Sequence, residues 1–403
     1  MKWICQLLFL TGMIASCSTV EPKDNFTAKN LTDSVLAPKI DSLRLFLDHY
    51  DKFFTTSFNI SECPGAAVVI VKDSTVVYKK GFGVKKVKST DSVDVHTVFR
   101  IASLSKGVTS VLAGNLVDNG LLNWKQNVTE TVPSFTLKNA EQANRLTVNH
   151  LLSHTSGLYK YANTKLIHKG LPLDNIVEGF KYTNTVAKEG TTYAYQNAAF
   201  SVTEKVMEKN TNATFRQLLQ KRLFDPLGMK TASASYESII ANSNVALPHK
   251  WNHYSKKYTL TKLHPNYYNV AAAGGINASI TDMGEYLKAL LGYRPNVISK
   301  ESLEAIFTPE VETIGTSSYV NLWEGVTKSY YAKGWRVLDY HGRKVIYHGG
   351  NVNQYKGQLM VDPENQIAIC ILFNGPNHFN GPVIPTFLNY YDFYKDLTSG
   401  DRS

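Results

Sequence analysis

The chain has 403 residues, enough for a large buried core, and its 43% hydrophobic and 19% charged residues are the proportions of a globular protein, not a disordered one. The formal charge of +10 becomes +9 without residues 1–16, whose single charged side chain is Lys2, and no run of five or more Lys/Arg occurs, so no nucleic-acid partner is expected. Of the four cysteines, Cys5, Cys17, Cys63 and Cys370, only the last two could pair in a processed chain; they make no disulfide framework and show no metal-ligand spacing.

Lys2 is followed by an apolar run from Trp3 to Ala15, broken by Gln6, Thr11 and Gly12. That run is too short to span a bilayer and has the layout of a secretory signal. Ile14-Ala15-Ser16-Cys17 looks like a bacterial lipobox, with cleavage before Cys17 and a lipid on that cysteine; a plain signal peptide is the alternative. Ser18 is not an aspartate-type retention signal, so the expected address is the bacterial cell envelope, lipid-anchored on the periplasmic side at the outer membrane. Residues 17–39 are polar, lack periodicity and read as a tether.

Ile40, Leu43, Leu45, Phe46, Leu47, Tyr50 and Phe53 predict an amphipathic helix that opens the folded part. Pro64-Gly65 punctuates, Ala66 to Val71 is a β-branched run fit for a buried strand, and Thr75 to Tyr78 is its hairpin partner. Next comes Phe99-Arg100-Ile101-Ala102-Ser103-Leu104-Ser105-Lys106. Val108, Val111, Leu112 and Leu116 recur at helical spacing and Asn119-Gly120 supplies a stop, which puts Ser103 at a helix start.

Ser103 and Lys106 form the chain's single S-x-x-K. Residues three apart on a helix are surface neighbours, so the lysine amine lies near the serine hydroxyl. A serine becomes a nucleophile when a base takes its proton, and burial can lower an amine's pKa enough for that task. A helix cap beside a solvated lysine is the alternative for an isolated motif. Further on, Tyr195-Gln196-Asn197 is a Y-x-N, but Tyr161, Tyr182, Tyr267 and Tyr319 also start one, so spacing alone does not choose among them. His348-Gly349-Gly350 ends a run from Lys344 that reads as a strand, and could simply be a strand end and turn. Gly334 to Val337, Gln358 to Val361 and Gln366 to Phe373 are further strands, with a turn at Asp362 to Asn365; Thr386 to Leu397 is a closing helix.

Taken in order, these motifs resemble the serine β-lactamase and penicillin-binding-protein superfamily, in particular its class C β-lactamase-related branch. Thr147 to Leu158 is similar to the family's T-x-x-x-L-L-x-H-T-S-G-L element, Gly190 to Phe200 to its G-x-x-F-x-Y-S-N-x-G-Y, and Leu223 to Met229 and Ala271 to Ile276 to later landmarks. The resemblance covers residues 40 to 397. It implies an α+β fold of β-lactamase/transpeptidase type: an antiparallel sheet flanked by terminal helices, from residues 40–110 and 326–397, with a mostly helical domain of residues 111–325 inserted.

It also assigns roles. Ser103 would attack a carbonyl, with Lys106 and Tyr195 moving the proton and either one the resting base; His348 would keep the cleft positive and assist Tyr195. Asn197 would hold Lys106 or a substrate carbonyl, Gly350 would let substrate lie against the strand, and the backbone N–H groups of Ser103 and Asn351 would form the oxyanion hole. His154 is structural in the family and stays outside the mechanism. Gly349 departs from the pattern, since a serine or threonine there commonly contacts a substrate carboxylate; its loss argues against an efficient β-lactamase or strict D,D-carboxypeptidase. The expected activity is hydrolysis of peptidoglycan-type peptides, amides or small esters through a Ser103 acyl-enzyme. A class C-type β-lactamase and a non-turnover penicillin- or peptide-binding protein are the alternatives. No metal or organic cofactor is implied, the membrane is met through the Cys17 anchor, and the oligomeric state stays open.

Overall fold

The computed structural model describes residues 41–313, 320 and 323–399; the signal, Cys17 and tether readings lie outside them. Helix α1, Ser42–Ser61, runs two turns past the expected stretch and buries Phe46, Tyr50, Phe54 and Phe58 at helical spacing. Strand β1, Gly65–Lys72, and strand β2, Thr75–Gly83, form the expected hairpin, with Asp73 left-handed at its turn. Strand β2 runs five residues past the expected Thr75 to Tyr78, through Gly81-Phe82-Gly83.

A short strand β3, Val98–Arg100, leads into a single 3-10 turn, Ala102–Leu104, and helix α2, Ser105–Asp118. The middle of the chain is helical apart from two short strands, β4 His249–Asn252 and β5 Lys257–Leu260, and β6 Asn277–Ser279, which pairs with β3. The Ile280–Leu290 helix packs on β1, so part of the 111–325 stretch lies against the sheet. The remaining strands are β7 Val311–Glu312, β8 Val326–Tyr331, β9 Arg336–Tyr340, β10 Arg343–Val352, β11 Tyr355–Asp362 and β12 Ile367–Phe373. They join β1 and β2 in one antiparallel sheet of order β2-β1-β12-β11-β10-β9-β8-β7.

Both faces of that sheet are covered, and the strand period of two sorts the side chains between them. Ala66, Val68 and Ile70 of β1, with Ile367, Ile369, Ile371 and Phe373 of β12, pack under α1 and the closing helix Val383–Ser399. Ala67, Val69 and Val71, with Ala368, Cys370 and Leu372, face α2 and the helical region. This is why β1 and β12 read as unbroken apolar runs. Cys63 and Cys370 are buried free thiols.

Helix α2 comes unusually near the sheet because Gly107 faces Trp335: a β-carbon at Gly107 would lie 2.3 Å from the indole. Beyond Tyr347, β10 has lost its partner β9, whose pairing ends at Arg336. The strand from His348 to Val352 is thereby left to face the turn that carries Ser103.

Candidate active site

Ser103 sits one residue after Ala102, whose backbone is left-handed at φ +54°. Alanine pays a steric penalty in that region of about 1–3 kcal/mol, and a tight approach accompanies it. A β-carbon at Gly350 would lie 2.8 Å from the Ile101 carbonyl oxygen and 3.2 Å from the Ser103 nitrogen. Only glycine lets β10 come this close, so Gly350 brings the Ser103 and Asn351 backbones together, as the oxyanion-hole reading needs.

Lys106 is fully buried. Its Nζ donates to Asn197 Oδ1 and to the Ala273 carbonyl, each at 2.7 Å, and lies 4.6 Å from the centre of the Tyr195 ring. Burial holds its pKa well below the usual lysine value. A neutral amine has two N–H bonds, which these acceptors occupy, and one lone pair free to take a proton. The second acceptor was not foreseen: Ala271 to Ile276 was read as a landmark without chemistry. Its place is fixed from the Asn197–Thr211 helix, which offers Asn197 at its start and, two turns on, Glu204, whose carboxyl accepts from Ala272 N at 2.8 Å. Burial pushes the Glu204 pKa up to about 8.

Tyr195 shares the cleft with Ser103, whose side chain acts to lower its pKa, but burial outweighs that and lifts the pKa above the ordinary phenol value. At neutral pH it is a phenol, not a phenolate. His154 packs its ring 4.4 Å from that of Tyr195, and its Nδ1 accepts from Gln196 N at 3.2 Å. The structural reading of His154 fits this geometry, since it props the loop that presents Tyr195.

His348 departs from expectation. Its Nδ1 lies 2.9 Å from the Gly349 carbonyl, which can only accept, so that nitrogen carries the proton and Nε2 accepts from the Tyr331 hydroxyl at 3.1 Å. Burial first, then Lys106 and Arg336, hold its pKa well below the usual histidine value. His348 is therefore neutral near pH 7 and does not keep the cleft positive; it reaches the Tyr195 side of the site through Tyr331.

The positive charge comes from Arg336, which the sequence reading missed. It lines the cleft, donates from Nη2 to the Tyr193 hydroxyl at 3.3 Å, and leaves Nη1 buried without a partner among the described residues. Burial works against its charge, but the phenols of Tyr193, Tyr331 and Tyr347 more than offset that and its pKa lies above the ordinary value. The missing hydroxyl at Gly349 also has a physical reason. A β-carbon there would lie 2.7 Å from the Tyr347 hydroxyl, which donates to Gln358 Oε1 at 2.5 Å. A phenol two residues back on the same strand face fills the space a serine or threonine would need.

Ser103, Tyr195, Asn197, His348, Gly349, Gly350 and Asn351 all line one cleft of about 790 Å³, with Lys106 behind Asn197. Among the described residues no Asp or Glu lines it. Among the described residues no group of three metal-ligating side chains occurs.

A serine at a strained turn, a buried lysine one turn on, and a tyrosine against the serine together define a serine-hydrolase-like site on a β-lactamase/transpeptidase-type fold. The chain belongs to the Beta-lactamase family, whose model matches residues 51–387. It is 26% identical over 320 residues to a protein of Aspergillus campestris named unguisins hydrolase ungD', covering 77% of this chain and 58% of that one. It is 25% identical over 328 residues to a D-aminopeptidase of Gluconobacter oxydans, covering 77% and 56%. The solved octameric penicillin-binding protein homologue from Pyrococcus abyssi superposes with a TM-score of 0.72 at 25% identity, covering 87% of this chain and 77% of that one. The chain spans about three fifths of the length of the curated relatives it matches.

Proposed function

We propose that this protein is a serine hydrolase that forms an acyl-enzyme on Ser103 and acts on small peptide-like amides or esters bearing a carboxylate. The observation behind it is a buried Lys106, its pKa held well below the usual value and its Nζ 4.6 Å from the centre of the Tyr195 ring, which lines one cleft with Ser103. In this reading Lys106 takes the Ser103 proton as Oγ bonds to the carbonyl carbon. The oxyanion rests on the Ser103 and Asn351 N–H groups. Tyr195 gives its proton to the leaving oxygen or nitrogen as that bond breaks, and regains one from the Lys106 ammonium. Water then attacks the acyl carbon and loses its proton to Lys106, and the Lys106 ammonium returns that proton to Ser103 Oγ as the acyl–oxygen bond breaks.

The substrate carboxylate follows from Arg336, a cation whose Nη1 has no partner among the described residues, in a cleft with no acidic side chain among the described residues that line it. It would supply the contact that Gly349 cannot. A D-aminopeptidase relative supports peptide-like substrates, but a free ammonium would meet no counter-charge here, so carboxylate-ended acyl groups fit better. A β-lactam, which also carries a carboxylate, is the second reading favoured by the same arginine. Incubation of the full chain with short D-alanyl peptides, their thioester counterparts and a chromogenic cephalosporin tests this. Thioester or peptide turnover that exceeds cephalosporin turnover is expected; no release from any of them on folded protein would contradict the hydrolase reading.

We also propose that Cys17 carries a lipid that anchors the chain at the cell envelope, on the lipobox-like Ile14 to Cys17. Incorporation of an alkyne-tagged fatty acid in a bacterial host should disappear in Cys17→Ser, and equal labelling of both would refute it.

A further inference from the structure

A second cavity, of about 600 Å³, opens beside the catalytic cleft. Two elements outside the acyl-transfer machinery build it: the β4–β5 hairpin, with Trp251 and Tyr258, and the segment 376–381; Lys356 of β11 borders it. The Trp251 and Tyr258 rings meet edge to face at 4.9 Å, and the Tyr258 hydroxyl donates to the Pro376 carbonyl, tying hairpin to segment. The volume is that of a small-molecule site.

Its charge has one sign. Lys250 and Lys356 line it with His253 and His378, and among the described residues no Asp or Glu does. Lys356 is half-buried, no described residue offers it an acceptor, and burial alone holds its pKa below the ordinary value. A partly desolvated ammonium without a partner is unfavourable until an anion arrives. The aromatic pair beside it suits a flat ring.

The two cavities share a wall. Asn380 lines both; its N–H donates to Asn377 Oδ1 at 2.7 Å and its carbonyl accepts from Gln358 Nε2 at 3.0 Å, while its own Oδ1 is buried with no partner among the described residues. Across the sheet Lys356 stands opposite Asn351, which lines the catalytic cleft.

We infer that this cavity is a subsite for a carboxylate carried on a ring, the far end of a substrate whose reacting carbonyl lies at Ser103. The carboxylate pairs with Lys356, the ring lies on Trp251 and Tyr258, and a donor on the linking portion reaches Asn380 Oδ1. The second half of this statement rests on the hydrolase reading; the binding half does not. An aromatic acid and an acidic sugar share the chemistry, and the test separates them.

Calorimetric titration of the full chain with 1-naphthylacetate and with N-acetylmuramic acid, against 1-naphthaleneethanol and N-acetylglucosamine, reads binding without turnover. At least one acid should bind better than its neutral counterpart. Lys356→Gln and Trp251→Ala should each weaken it about tenfold or more, with thermal melting of both variants as the folding control. Because Trp251 lies on a peripheral hairpin, its variant keeps the test open should Lys356→Gln fail to fold. Acids that bind no better than the neutral compounds, or binding unchanged in the variants, would overturn the subsite. Binding that behaves as expected, in a chain that releases no product from the peptides, thioesters or cephalosporin, would leave the subsite standing and remove the hydrolase reading.

Discussion

Lys106→Met is expected to lower kcat/KM for any ester or amide substrate by about 10²–10⁴-fold while the protein stays folded. The methionine fills the same apolar space behind Tyr195 but brings neither a lone pair nor the two N–H bonds that reach Asn197 and Ala273. In the native protein the active form is the neutral amine, so kcat/KM should fall as acid protonates Lys106, at a pH below the ordinary lysine range because burial depresses its pKa.

The same depression has a stability counterpart with a definite sign. Between the lowered folded value and the unfolded value, the unfolded chain binds a proton that the folded chain does not, so native stability rises with pH across that window. Lys106→Met should remove this rise. Denaturant titrations of both proteins at several pH values, paired with pH–rate profiles, would check it. Unchanged activity in the variant would take the base role away from Lys106.

Arg336→Gln is expected to lower kcat/KM for carboxylate-bearing substrates by about 10- to 150-fold, the loss of a hydrogen bond to a charged group worth about 1.5–3 kcal/mol. The methyl esters of the same substrates should be nearly unaffected. The contrast is needed because Arg336 also touches Tyr193 and stacks over Tyr331, and a general disturbance would slow both substrates alike. Equal losses would make Arg336 a support for the tyrosines and not a contact to substrate.

The two residues differ in how far the chain announces them. Ser103 and Lys106 stand in the chain's single S-x-x-K, whereas the choice of Tyr195 and Asn197 among five Y-x-N matches came from family resemblance. The sheet was legible where both faces are buried, as in β1 and β12, whose unbroken apolar runs record two cores at once. The start of the Asn197–Thr211 helix carries no apolar periodicity, because its first turn holds polar and small residues that serve the site.

Arg336 was not legible, since nothing local marks an arginine at the start of a strand, and the Tyr193 hydroxyl that it reaches is 143 residues away. The Ala273 carbonyl bonded to Lys106 is a backbone atom 167 residues away and leaves no side-chain signal. The charge expected on His348 failed because a motif conveys residue type and not burial. Gly349 looked like a loss until Tyr347 was found in the space its missing side chain would occupy.

The most direct test of the account is intact mass spectrometry of the protein after exposure to a fluorophosphonate and, separately, to a penicillin, with Ser103→Ala as control. The account predicts one adduct per chain, located on Ser103 and absent from the variant, with the lifetime of the penicillin adduct separating hydrolysis from lasting capture. Folded protein that takes up neither reagent, or an adduct that persists in Ser103→Ala, would contradict an acyl-enzyme on Ser103.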